Sequence, residues 1–312
     1  MLENVVRFSL AFSEVRIIKY GVLGILLLAF FLILLSLLSK RKNTPLIYLT
    51  LFGFSVVTLI GIDAYCIEPN WIETNTVVIR DKDLADVLKD KTVVHITDLH
   101  LNEGLRFREY SLIRKVNAIK PDYVFITGDF IDDLTQLQPL LQLLKSIHAK
   151  VGIYGVPGNT DHISIDGNTL SEQLKGVNFE LLVNASRKIE IDGKYFWLVG
   201  ADDPVYGFAN IKTALRNVDS AGPTILLAHS PDIFMDAVNN QINLVLVGHT
   251  HGGQVGIPFL IRLSNYANRT PYIKGLFQKN RTVMYVNKGI GMKTLPIRFL
   301  CRPEITIIKF KP

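Results

Sequence analysis

Five short motifs between residues 98 and 251 carry oxygen and imidazole donors. They are Asp98-Leu99-His100, Gly128-Asp129, Gly158-Asn159, His229 and Gly248-His249-Thr250-His251. Such donors suit divalent cations, among them manganese, magnesium, zinc and iron. In Asp-x-His, residues two apart on an extended segment point to one side, so a carboxylate and an imidazole can share an ion. Gly128 permits an open loop beside Asp129, whose carboxylate could bridge two ions. Asn159 offers an amide oxygen, although Gly-Asn alone reads as an ordinary Asx turn. His229 alone reads equally as a core histidine. His249 and His251 alternate off a glycine-framed loop, one imidazole for each of two neighbouring ions. Together the motifs predict two divalent metals side by side, and hydrolysis of phosphate esters or anhydrides.

Four of the seven histidines fall in these motifs. His95 lies inside an apolar strand and supports the core or the site from there. His148 ends a helix, where a cationic imidazole is favourable. His162 follows Asn159 by three residues and is open to two readings, a surface loop residue or a catalytic group.

Each motif follows a short apolar run. Residues 92–97 (TVVHIT), YVFIT to Thr127 and VGIYGV to Val156 read as buried strands, with helices between them over 107–120 and 133–148. Pro121 stops the first helix. The second half holds strands at 179–183, 186–191, 195–200, 224–228, 244–247, 282–287 and 305–310, with Asp192-Gly193 as a turn. Alternating strands and helices predict α/β organisation, with the site where strands end. No internal repeat or low-complexity linker interrupts it.

The chain's apolar excess sits near its start. Tyr20–Leu38 is an uncharged run long enough to cross a bilayer, and Leu46–Ile62 is at the short end of that range. Lys40, Arg41 and Lys42 lie between them. This predicts a membrane-anchoring region over 1–75 with two transmembrane helices, then one compact domain over 76–312. A basic loop facing the cytoplasm would put that domain outside, and the opposite holds if the second stretch does not span. Cys66 and Cys301 are too far apart and too few to form a disulfide framework. The net charge of +6 suits an anionic lipid surface or a phosphate-bearing substrate. No interleaving of aromatic and basic residues points to nucleic acid, and no obligate protein partner is inferred.

The order D-x-H, GD, GN, H, GHTH resembles the calcineurin-like metallophosphoesterase superfamily, over nearly all of residues 91–310. GHTHGGQ and the tail YVNKGIG…LPIRFLCRPEI are similar to its membrane-associated bacterial branch. That branch includes pyrophosphatases of the chlamydial type, which cleave UDP-2,3-diacylglucosamine in lipid A synthesis. The resemblance implies a four-layer α/β/β/α sandwich of two mixed sheets, here preceded by the transmembrane hairpin, in a cytoplasmic (inner) membrane. It implies that Asp98, His100 and His251 bind one metal, that Asn159, His229 and His249 bind the second, and that Asp129 bridges them. Two divalent ions are expected, manganese foremost.

The chain departs from the pattern at Thr160, where many members carry a histidine that assists the leaving group. That favours a substrate whose leaving group needs little protonation, such as UDP-2,3-diacylglucosamine releasing UMP. His162 is the candidate substitute, grouped with Asp129, Asn159 and His249 as catalytic. The alternatives are a membrane-anchored phosphodiesterase or phosphatase acting on another envelope lipid or small phosphoester, and a non-enzymatic metal-binding scaffold. Lys288 and Arg298, in the basic glycine-containing tail, are the expected phosphate contacts. The apolar segment 257–261 is either a loop that meets acyl chains or the membrane, or a core strand.

Overall fold

The computed structural model describes residues 44–165, 167–219, 221–263 and 270–312. Two sheets carry the site. In the first, Glu73–Arg80 (β1) pairs in parallel with the last strand, Glu304–Lys311 (β12). Beside β12 lie Val93–Ile96 (β2), Tyr123–Thr127 (β3), Gly152–Val156 (β4) and Glu180–Leu181 (β5). Only β12 against β2 is antiparallel. The second sheet runs Gly275–Lys279 (β10), Thr282–Val286 (β11), Leu244–Val247 (β9), Thr224–Leu227 (β8), Lys194–Gly200 (β7) and Ala185–Ile191 (β6). Its central pairs are parallel and its two edge pairs antiparallel. Both sheets are therefore mixed, as the resemblance implied.

The period-2 geometry of strands explains the layering. Val93, Tyr123 and Phe125 face one way and meet Leu198, Ile225, Leu227, Leu244 and Leu246 of the second sheet. Val94, Ile96, Val124 and Ile126 face the other way, against Leu112 and Val116 of helix Phe107–Ile119 and Leu140 and Leu144 of helix Leu137–Ser146. The outer face of the second sheet, with Leu226, Val245 and Val247, is covered by Phe234 and Ala237 of helix Phe234–Asn239. The order is thus helix, sheet, sheet, helix. Strands covered on both faces read as continuous apolar runs, which is why they were legible.

Local chemistry marks several boundaries. Helix Phe107–Ile119 ends at Lys120 with φ +52, just before Pro121. Asp192 and Gly193 both have positive φ (51 and 80) and form the tight β6–β7 turn. The helix expected over 133–148 divides into a 3-10 turn, Leu134–Gln136, capped by Asp133, and the helix Leu137–Ser146. Pro139 is tolerated in the first turn, where the backbone N–H has no partner to lose.

Some expectations change. β1, β10 and the helix Lys82–Leu88 were not anticipated. β1 and β10 are edge strands, largely uncovered and polar in pattern, so they lack the apolar run that betrays a central strand. β1 begins at Glu73. Segment 257–261 is neither loop nor core strand: Pro258–Leu263 is a short helix with proline at its start and Phe259 exposed.

The described residues divide into two units. One contains the helix Thr44–Ile62 and residues to Ile67, with Lys293–Pro296; the other is Glu68–Met292 with Ile297–Pro312. Ile47–Asn70, which runs from the first unit into the start of the second, is a 24-residue helical stretch containing an 18-residue window with a mean hydropathy of 1.8. At 1.5 Å per residue that suffices to cross a hydrocarbon core of about 30 Å. Its apolar side chains point in all directions and are exposed, Tyr48, Leu49, Phe52 and Leu59 among them. A helix with no polar face suits lipid rather than water. Among the described residues it is the one helix of this kind. The first apolar stretch, Tyr20–Leu38, lies outside the described residues, so the expected hairpin is found only as this single helix.

Candidate metal centre

Asp98 and His100 follow β2, Asp129 follows β3 and Asn159 follows β4; His229 follows β8, and His249 and His251 follow β9. Parallel neighbours in register (Ile96 with Ile126, Thr127 with Val156, Leu227 with Leu246) end at one edge. All seven side chains therefore emerge at the carboxyl ends of strands from both sheets.

Asp98, His100 and His251 form one group and Asp129, His229 and His249 another. In the first, His100 Nε2 lies 3.2 Å from His251 Nε2, and His251 Nε2 lies 3.4 Å from Asp98 Oδ1. In the second, His229 Nε2 lies 3.1 Å from His249 Nδ1 and 3.1 Å from Asn159 Oδ1. Asp129 Oδ2 joins them, 3.3 Å from His100 Nε2 and 3.4 Å from His229 Nε2. Two donors each about 2.0–2.2 Å from a common ion, at angles of roughly 90–110°, stand about 2.8–3.6 Å apart. The donor spacing is that of shared ions.

The donors fit cations on a second ground. Asp98 Oδ1 is buried and has no hydrogen-bond partner. Its other oxygen accepts from the Thr97 hydroxyl and the His249 backbone N–H, both at 2.9 Å. Asp129 Oδ1 likewise accepts from Thr160 N–H at 2.8 Å. Each carboxylate thus has one oxygen tied and one turned inward. His100 Nδ1 meets Asp132 Oδ1 at 2.7 Å and His229 Nδ1 meets the Thr127 carbonyl at 2.9 Å. Those acceptors place a proton on Nδ1 and leave Nε2 free to ligate. Four imidazoles among seven donors favour transition metals over magnesium.

Burial disfavours charge here, but neighbours outweigh it in one pair. Burial opposes protonation of His229, yet the adjacent Asp129 carboxylate pushes its pKa up to about 10. Burial would raise Asp129, but His229 and then His100 hold it well below the usual carboxylate range. Burial pushes Asp98 up and His251 down. Without metal, then, a proton on His229 supplies the positive charge that Asp129 needs.

The backbone is strained at the donors. Asp98, His100, Asp129, His249 and His251 all have φ between +44 and +70. A left-handed conformation at a non-glycine residue costs on the order of 1 kcal/mol or more. Gly128 shows how tight the loop is: with φ +82, a Cβ there would lie 2.6 Å from Gly158 N and 2.9 Å from His229 Nδ1.

Residues 91–253 match the model of the calcineurin-like phosphoesterase family. The chain belongs to that family. It is 30% identical over 250 residues to the uncharacterized metallophosphoesterase YkuE of Bacillus subtilis, covering 78% of this chain and 87% of that protein. It is 30% identical over 289 residues to the uncharacterized metallophosphoesterase Cj0846 of Campylobacter jejuni, covering 89% of this chain and 75% of that one. A transmembrane protein with metallophosphoesterase domain from Danio rerio is 31% identical over 245 residues; the match covers 73% of this chain and 55% of that longer protein. Family and donor clusters together make the chain a metal-dependent hydrolase.

Both expected phosphate contacts are engaged with protein partners. Arg298 is fully buried, and its guanidinium donates to the carbonyls of Gly291, Cys301, Lys288 and Gly289. It braces the loop whose Gly291 N–H donates to the Asp98 carbonyl. A glycine-containing tail reads as a phosphate loop, but here its carbonyls, not a ligand, need the arginine. Lys288 is paired with Glu73 and lies 3.8 Å from Glu304, so its ammonium is committed to sheet one.

His162 belongs to neither donor group. Its Nε2 lies 2.6 Å from Asp202 Oδ1, its ring packs on Phe208, and the Asp202 hydrogen bond raises its pKa. Thr160 is buried, with no partner for its hydroxyl. His95 is a core residue, 2.9 Å from the Thr127 hydroxyl, with burial lowering its pKa to about 3. Asp132, Thr127 and Asp202 were missed. Asp132 carried a signal, a second acid three residues beyond Asp129, but its partner histidine is 32 positions away in sequence.

Two outcomes follow. Asp132→Asn should weaken metal affinity or activity by about 10–100-fold through loss of ring orientation; titrating the purified variant with Mn2+ checks it, and unchanged affinity contradicts it. Metal must displace the His229 proton, so affinity should rise with pH, by about tenfold per unit while one proton is released. Mn2+ isotherms between pH 6 and 8 read the slope, and a flat profile contradicts the assignment.

Proposed function

We propose that this chain is a membrane-anchored two-metal phosphodiesterase or phosphatase acting on an envelope phospholipid or small phosphoester. The observation that carries it is Asp129 Oδ2 standing between His100 and His229. Asp98, His100 and His251 would hold one cation, Asn159, His229 and His249 the other, and Asp129 both. Manganese is the proposed ion. Bound there, divalent cations supply Lewis acidity toward phosphoryl oxygens and lower the pKa of water. The chain's own residues then orient rather than attack. Asp132 and the Thr127 carbonyl aim two imidazoles, and the Thr160 and His249 N–H groups aim two carboxylates. His162, one helical turn beyond Asn159 and beside Asp202, is the proposed cation at the leaving-group side.

The apolar helix supports a membrane address, and Tyr20–Leu38 extends the proposal to two passes through a cytoplasmic (inner) membrane. A second reading is hydrolysis of UDP-2,3-diacylglucosamine to UMP. Thr160 favours it, since a threonine hydroxyl is too weak an acid to protonate a leaving group and a phosphoanhydride needs little such help.

The test uses the full chain in detergent with Mn2+. It is offered bis-p-nitrophenyl phosphate, phosphatidic acid and UDP-2,3-diacylglucosamine. Cleavage of an ester, abolished by EDTA and reduced on the order of 10³-fold by Asp129→Ala and His249→Ala, is expected. UMP release alone would move the assignment to the second reading. Cleavage indifferent to EDTA and to both substitutions would remove the proposal.

A further inference from the structure

Glu68 is the first residue of the globular unit and lies in the last turn of the apolar stretch Ile47–Asn70. It is a carboxylate, yet it is buried at 5% exposure. Its two oxygens accept from the backbone N–H groups of Leu300, at 2.8 Å, and Cys301. Those partners lie 232 and 233 positions away, so the carboxylate closes a very long loop. Cys301 in turn touches the metal-donor loop: its Sγ lies 3.3 Å from the His251 carbonyl and 3.5 Å from that of Gly252. Within the globular unit, Glu68 is thus linked through Cys301 to the loop that carries a metal donor.

What Glu68 holds in place is unusual. Leu300 has φ +53 and is 63% exposed. A γ-branched apolar side chain gains nothing in water from a left-handed backbone. Phe299, beside it, bridges to Val255, and helix Pro258–Leu263 follows with Phe259 exposed at 68%. On the other side of Leu300, the Arg302 guanidinium stacks 3.9 Å above the Trp71 ring, itself half exposed. Helix Phe107–Ile119 packs against Glu68–Asn70 and presents Phe107 and Tyr110, both exposed and three residues apart.

We propose that Trp71, Leu300, Arg302 and Phe259, flanked by Phe107 and Tyr110, form a face that seats in the bilayer interface and holds the metal centre at the lipid headgroups. The occupant is a lipid surface. Chain continuity argues for it, because Trp71 directly follows Asn70, the last residue of the apolar stretch. Composition argues for it too: exposed aromatics with a stacked arginine suit the boundary where one side is apolar and the other wet and anionic. Glu68 adds no exposed negative charge, since its oxygens are turned onto backbone donors. The face explains why a strained leucine is held outward, and it does not depend on which phosphoester is cleaved.

The chain has two tryptophans, and the other, Trp197, is buried, which makes fluorescence a direct probe. The full chain is reconstituted in nanodiscs of phosphatidylcholine and phosphatidylglycerol, with and without phosphatidylcholine carrying a nitroxide at carbon 5. Trp71→Phe is combined in turn with Leu300→Trp, with Phe259→Trp and, as control, with Val151→Trp. Val151 is exposed and precedes β4 at the end of the strands opposite the donors. Emission from positions 300 and 259 should be quenched roughly two-fold or more above position 151. Equal quenching at all three positions, or a chain that does not co-elute with the discs, overturns the proposal. No turnover is read, so failure of the proposed hydrolysis is distinguished from failure of the seating.

Discussion

The fold depends on a buried electrostatic debt: the Asp129 carboxylate, between His100 and His229, needs positive charge that the apolar layers around it cannot supply. Asp98 adds a second buried carboxylate with one oxygen left without a donor. Desolvated charges of this kind persist only when paired or bound to cations. Here each tied oxygen receives N–H or O–H donors, and each free oxygen looks toward imidazoles. The arrangement withholds one donor atom from every carboxylate, as a metal site must.

Keeping those atoms convergent costs backbone strain. Five donors sit in left-handed conformations, and the energy that offsets them comes from elsewhere. Two sheets share a layer of large apolar side chains, and parallel strands in register deliver their loops to one edge. Fully buried Arg298, by gathering four carbonyls, locks the closing loop against Asp98. Strain at the site and rigidity beneath it belong together: left-handed Asp and His are tolerated because the surrounding structure over-determines them.

The central strands and the two Asp/His donor groups were legible because their signals are local. A doubly covered strand is an apolar run, and a metal donor must be one of a few residue types. What was hidden depends on partners distant in sequence. Asp132 matters through His100, and Glu68 through Leu300, over 232 positions. Arg298 looked like an anion contact, and only tertiary placement shows that its donors face carbonyls. Edge strand β1 was missed since half its side chains meet solvent, leaving no apolar run to read.

The central claim is one carboxylate serving two ions, and electron paramagnetic resonance of the Mn2+-loaded protein tests it most directly. Two ions per chain sharing Asp129 should give the spectrum of an exchange-coupled pair, replaced in Asp129→Ala by isolated Mn2+ or by loss of metal. A wild-type spectrum of a single, uncoupled Mn2+ per chain would contradict the account.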